Sequence, residues 1–158
     1  LKKYDNLIFL NTLSKLGLAS MRLGFLIGNK EIIAQLDKVR LPYNVNSLSQ
    51  IAANFFLDYQ GEFAFQVKEI IKRREELYLG LQKIAGIKPF PSQSNFIFFS
   101  CAFDSNRIYK QLVAEGIVVK NLNIPPLMPN CMRVTVGNRK ENENFLRALK
   151  NIVSRQGA

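Results

Sequence analysis

The chain contains no histidine and only two cysteines among its 158 residues. Without an imidazole, a His-ligated zinc site and a Ser-His or Cys-His catalytic arrangement are both excluded. Cys101 and Cys131 form no CxxC pair and read as reduced core residues, so no metal site is expected. Long apolar runs are absent as well. The stretch at residues 96–99 falls far short of the roughly 20 residues that a membrane helix requires. No export signal opens the chain, which points to the cytoplasm. The first residue is Leu1 rather than Met, and a longer parent polypeptide is the expectation.

Basic residues outnumber acidic ones by 22 to 12, a net charge of +10. Such an excess suits nucleic acid, an anionic membrane or an anionic small molecule. Lys30, Lys38, Lys68, Lys83, Lys110, Lys120 and Lys150 lie far apart in sequence, however. The only run of three, Lys72-Arg73-Arg74, is followed at once by Glu75-Glu76. A solvated basic surface is the better reading, with no nucleic-acid or membrane partner.

With 47% hydrophobic and 22% charged residues and a mean hydropathy near zero, the chain describes a globular protein. Residues 6–11 read as a short apolar strand of the kind buried in a parallel sheet. Residues 12–22 form an irregular loop rich in small side chains, including Gly17, Ala19 and Ser20, and residues 23–27 are apolar again. Ile32, Ile33, Leu36 and Val39 recur at helical spacing until Pro42 stops the pattern. Further helices are expected from residue 47 to 56 and over 62–84. The second has Val67, Ile70, Ile71, Leu77, Leu81 and Ile84 along one stripe. Gly86, Pro89 and Pro91 then break the pattern. Strands over 95–99, 116–120 and 132–136 and helices over 105–115 and 139–155 complete an α/β chain whose later part is an α+β layer of helices on a small sheet. The boundary falls near residues 40–46.

The informative stretch is NTLSKLGLASMRLG, residues 11–24. Two hydroxyls, Thr12 and Ser14, precede Lys15, and Arg22 follows seven residues later. Hydroxyls and a guanidinium fork are phosphate-binding chemistry. A lysine beside that phosphate can react with an aldehyde on the same molecule, and pyridoxal 5'-phosphate (PLP) carries both groups. From spacing alone, a surface lysine after a strand explains the residue as well.

Thr12 to Gly24 resembles the cofactor-lysine signature of the class I/II aminotransferases, the fold-type I PLP family. Within it, KVRLPYNVNS (residues 38–47) resembles the histidinol-phosphate aminotransferases, and CMRVTVGNR (131–139) resembles their C-terminal signature. The resemblance covers essentially the whole chain. It implies that Lys15 holds PLP and shuttles the substrate proton, that Thr12, Ser14 and Arg22 bind the cofactor phosphate, and that Arg133 grips the anionic group of the substrate. Arg40, Tyr43 and Asn44 would approach the pocket at a domain hinge or from a partner subunit. Asn95 caps a turn or joins them.

The same resemblance implies a homodimer acting on an amino donor and a 2-oxo acid, here L-histidinol phosphate and 2-oxoglutarate in histidine biosynthesis. Residues 1–45 would be a remnant of the large cofactor-binding domain and 46–158 the small C-terminal domain. Such enzymes are much longer than this chain, so a C-terminal part, inactive by itself, is expected. An aminotransferase for aromatic or other amino acids and a non-catalytic truncated module are the alternatives.

Overall fold

The computed structural model describes residues 3–16 and 18–156, and for Lys15, Leu16 and Gln60 it describes the backbone only. Gly17 of the small-residue loop lies outside the described residues. Five α-helices and six strands in two sheets are present among those described. The chain divides into two compact units, residues 1–65 and 66–158. The division falls inside one helix, well after the expected boundary at residues 45 and 46.

In the first unit, β1 (Phe9–Thr12) pairs antiparallel with β2 (Gly24–Ile27), with Phe9 opposite Ile27 and Thr12 opposite Gly24. This corrects the expectation of a strand buried in a parallel sheet, since every residue of β1 and β2 is exposed. An apolar run says that a strand wants cover but does not name its neighbour. Here the connection folds back on itself through two single 3-10 turns, Leu13–Leu16 and Ala19–Met21, and delivers an antiparallel return.

Next come α1 (Lys30–Val39), capped by the Asn29 side chain, and α2 (Ser47–Asp58), capped by Asn46. Proline 42 acts as expected, for α1 ends at Val39 and Arg40 is already extended. Among the described residues of this unit, Leu13 is the buried hydrophobic side chain and Ser49 the buried polar one.

The long helix α3 (Gln60–Gln82) leads into the second unit. There β3 (Ile87–Pro89), β4 (Phe96–Cys101), β5 (Lys120–Asn121) and β6 (Cys131–Thr135) form an antiparallel sheet in the order β3-β4-β6-β5. Helices α4 (Ser105–Ala114) and α5 (Arg139–Ser154) complete it. Alternation along β4 and β6 sends Ile97, Phe99, Cys101, Met132 and Val134 into one core with Leu77, Leu81, Leu112, Phe145, Leu149 and Ile152. Phe96, Phe98, Arg133 and Thr135 take the opposite face. A reciprocal Asn138–Glu141 capping box starts α5.

Two sequence expectations change here. β3 was not foreseen, because Gly86 and Pro89 read as breakers; Gly86 instead takes φ +76°, a turn that puts Ile87 opposite Cys101. The strand over 116–120 shrinks to Lys120–Asn121, since Ile117 donates its N–H to Leu112 at the end of α4 rather than to β6.

Both cysteines are free and buried. Burial first, and then the neighbouring Cys131, pushes the Cys101 thiol up to about 12, and burial also raises Cys131. At pH 8 a thiol-specific reagent should therefore label neither cysteine of the folded chain and both in denaturant. The linkage has a definite sign. An unfolded chain releases the Cys101 proton near 9, whereas the folded chain keeps it to about 12, so this thiol lowers stability as pH rises through that window. Rapid labelling under native conditions would show that the core around Cys101 opens.

Candidate active site

The loop between β1 and β2 is closed at its base. Leu13 N–H donates to Leu23 O at 3.2 Å, and Thr12 Oγ1 donates to the same carbonyl at 3.1 Å. Thr12 Oγ1 also accepts from Ser14 N–H at 3.2 Å and lies 2.9 Å from Ser14 Oγ. A hydroxyl has one proton, and that of Thr12 is placed on Leu23. Ser14 is then the donor of the hydroxyl pair and can turn its proton to a ligand instead. Thr12 shapes the loop. Gly24, opposite Thr12, has room for little else: a Cβ there would stand 3.0 Å from Asn11 O.

Arg22 ends the second 3-10 turn in the left-handed region, at φ 52° and ψ 32°. Its guanidinium touches the Ala19 carbonyl at 3.5 Å, and among the described residues it is paired with no carboxylate. Lys15 has its backbone in the first 3-10 turn, beside Ser14; its side chain lies outside the described residues. A guanidinium with no described carboxylate partner and a hydroxyl that can turn its proton outward, on one short closed loop, make an anion-binding set.

Arg40, Tyr43 and Asn44 belong to the turn between α1 and α2. Arg40 Nε pairs with Asp37 at 2.7 Å, and its Nη1 donates to Asn44 Oδ1 at 2.9 Å. Arg40 and Asn44 are thus joined in one local network. Tyr43 has φ 58° and is 97% exposed, so the turn presents its ring outward.

In the second unit, the Arg133 guanidinium lies 4.7 Å from the centre of the Phe96 ring, and no described carboxylate pairs with it. Register places Phe98 on one side of Arg133 and Lys120 on the other. Directly opposed side chains share a face, with Cβ atoms about 5 Å apart, so two cations face each other at the sheet's open surface. Like charges so placed disfavour one another unless an anion bridges them. Sequence reasoning missed Lys120, because only strand register reveals its partner. Asn95 gives its carbonyl to Val136 N–H at 2.9 Å, which extends the β4–β6 pairing by one step beyond Phe96 and Thr135.

The family model described as Aminotransferase class I and II matches residues 1–149. The chain belongs to that family. The histidinol-phosphate aminotransferase 2 of Nitrosococcus oceani is 44% identical over 95% of this chain and 42% of its own length. That of Aquifex aeolicus is 39% identical over 94% and 42%. The crystal structure of the histidinol-phosphate aminotransferase from Clostridium acetobutylicum superposes with a TM-score of 0.87 at 28% identity, covering 98% of this chain and 48% of that one. A decarboxylase from Sulfurospirillum multivorans reaches 0.85 at 25% identity, over 96% and 45%. This aminotransferase chain spans about two fifths of the length of the curated relatives it matches.

The family is PLP-dependent, and the donor set on the β1–β2 loop fits the cofactor's phosphate. Ser14 supplies a hydroxyl and Arg22 a fork with no carboxylate partner among the described residues, and Lys15 lies on the same loop.

Proposed function

We propose that this chain is the part of a histidinol-phosphate aminotransferase that carries the cofactor lysine and the substrate-gripping arginine. The reaction would transfer the amino group of L-histidinol phosphate to 2-oxoglutarate, giving imidazole acetol phosphate and glutamate. One observation carries the reading: relatives of that name match 91–98% of the chain at 36–44% identity.

When bound, PLP supplies the aldehyde that takes up the amino donor and the electron sink that eases removal of its Cα proton. The chain's own groups do the rest. Lys15 Nζ holds the cofactor and then carries the proton to and from Cα. Ser14 and Arg22 hold the phosphate, with Thr12 fixing the loop beneath them. Arg133, resting on Phe96, takes the anionic group of the donor or of the 2-oxo acid, and Lys120 adds a second cation beside it. Arg40 and Asn44 brace the turn that holds out Tyr43, whose exposed ring suits a neighbouring subunit of a homodimer. In the whole enzyme, residues 1–45 would belong to the large domain and 46–158 to the small one. No described helix is long and apolar enough to cross a membrane, and a cytoplasmic enzyme is the reading that goes with this.

The test is an assay of the whole protein carrying this chain, with 2-oxoglutarate as acceptor and histidinol phosphate or phenylalanine as donor. Histidinol phosphate should be strongly preferred. Arg133→Met should raise its KM by about tenfold or more through loss of a charge-assisted pair. Equal use of phenylalanine would replace this substrate with that of an aromatic aminotransferase on the same fold.

A further inference from the structure

Arg22 stands in a backbone conformation that residues bearing a Cβ seldom adopt, and such a conformation persists only where the surroundings over-determine it. The peptide plane between Met21 and Arg22 decides the matter. Turning that plane changes ψ of Met21 and φ of Arg22 together and would release the left-handed angle. Both ends of the plane are held. The Arg22 N–H donates to Ala19 O at 3.3 Å. On the other side the Met21 carbonyl accepts a 2.7 Å hydrogen bond from Ser49 Oγ, reaching across from α2.

Ser49 is 5% exposed, the buried polar side chain among the described residues of the first unit. Its backbone N–H is already satisfied by the Asn46 cap at 2.9 Å, so helix capping does not account for its hydroxyl. A buried alanine would serve α2 equally well there. Downstream, the Leu23 carbonyl is fixed by Thr12 and Leu13. Arg22 is therefore clamped on either side, upstream by α2 and downstream by β1 and the first 3-10 turn.

We infer that Ser49 is a positioning residue, whose hydroxyl holds the Met21–Arg22 peptide so that Arg22 keeps its left-handed backbone, with its guanidinium against the Ala19 carbonyl of the same loop. The use made of this, gripping a phosphate, rests on the PLP reading above; the clamp itself does not. With the hydroxyl gone, the Met21 carbonyl turns to water and the plane rotates. The arginine then samples the ordinary negative φ region, and its side chain leaves the loop by a different path.

The experiment uses the full chain, isotopically labelled, as Ser49→Ala and Ser49→Thr beside the unsubstituted protein. The Cα and Cβ shifts of Arg22 and its HN–Hα coupling report φ, and inorganic phosphate is titrated while the Arg22 Nε–H signal is followed. Losing one net hydrogen bond should shift the left-handed population of Arg22 by up to about tenfold and weaken phosphate by a similar factor. Ser49→Thr, which keeps the hydroxyl, should restore both. An Arg22 that stays left-handed in folded Ser49→Ala would overturn the inference. Should that variant unfold, Ser49→Cys keeps the volume with a far weaker donor and is read the same way. A phosphate titration that leaves Arg22 of the unsubstituted chain unmoved would sink the phosphate reading, while the φ measurement still decides the role of Ser49.

Discussion

Incubated with PLP and reduced with borohydride, the protein is expected to gain one cofactor mass, mapped to Lys15, and Lys15→Ala to gain none. The same substitution should cut transamination by the whole protein at least 10²–10⁴-fold, about the factor that one positioned proton-transfer group contributes. The structural basis is the loop itself. Surface lysines such as Lys30 or Lys38 can react with an aldehyde, but no Ser14 hydroxyl and unpaired Arg22 hold a phosphate beside them. Local concentration favours Lys15. Adducts spread evenly over many lysines would mean that the loop does not hold the phosphate in this chain, and the cofactor site would then need groups from elsewhere.

The largest stability effect should come from Phe99→Ala. Phe99 is fully buried on the core face of β4, opposite Met132 and 6.2 Å from the Phe145 ring of α5. Truncation there removes the contact between sheet and closing helix and leaves a cavity that β4 and β6, locked in register, cannot collapse to fill. Such changes cost about 3–5 kcal/mol, a large share of the 5–15 kcal/mol that holds a domain folded. Urea denaturation of the second unit should show its midpoint fall accordingly. Phe98→Ala, one residue along on the open face, should cost far less. Equal losses at both positions would mean that the open face is also packed.

Periodicity made the helices legible. Leu77 and Leu81 of the α3 stripe are buried as the spacing requires, and so is Ile84 just past the helix end, although Ile71 on the same stripe is 44% exposed. Strand partners were not legible. The apolar run leading into β1 gave its type but neither its antiparallel neighbour nor its exposure. Ile117–Val119 looks like strand because it is apolar, yet it meets the core without joining the ladder. The candidate site divides along the same line. Lys15, Thr12, Ser14, Arg22 and Arg133 sit in contiguous motifs and could be named from sequence. Lys120 and Ser49 could not, because each matters through a residue far away in the chain: one by register across β5 and β6, the other by a hydrogen bond spanning the 28 positions from Met21.

The left-handed backbone at residue 22 also limits what else that position can be. Glycine, asparagine and aspartate accept such a backbone most readily, but none of them carries a positive fork. Lysine carries the charge on a single point and loses the two-pronged grip. Valine and isoleucine meet neither demand. The steric and the electrostatic demands thus pull toward different residues; arginine meets the second, and the surrounding hydrogen bonds make its backbone tolerable.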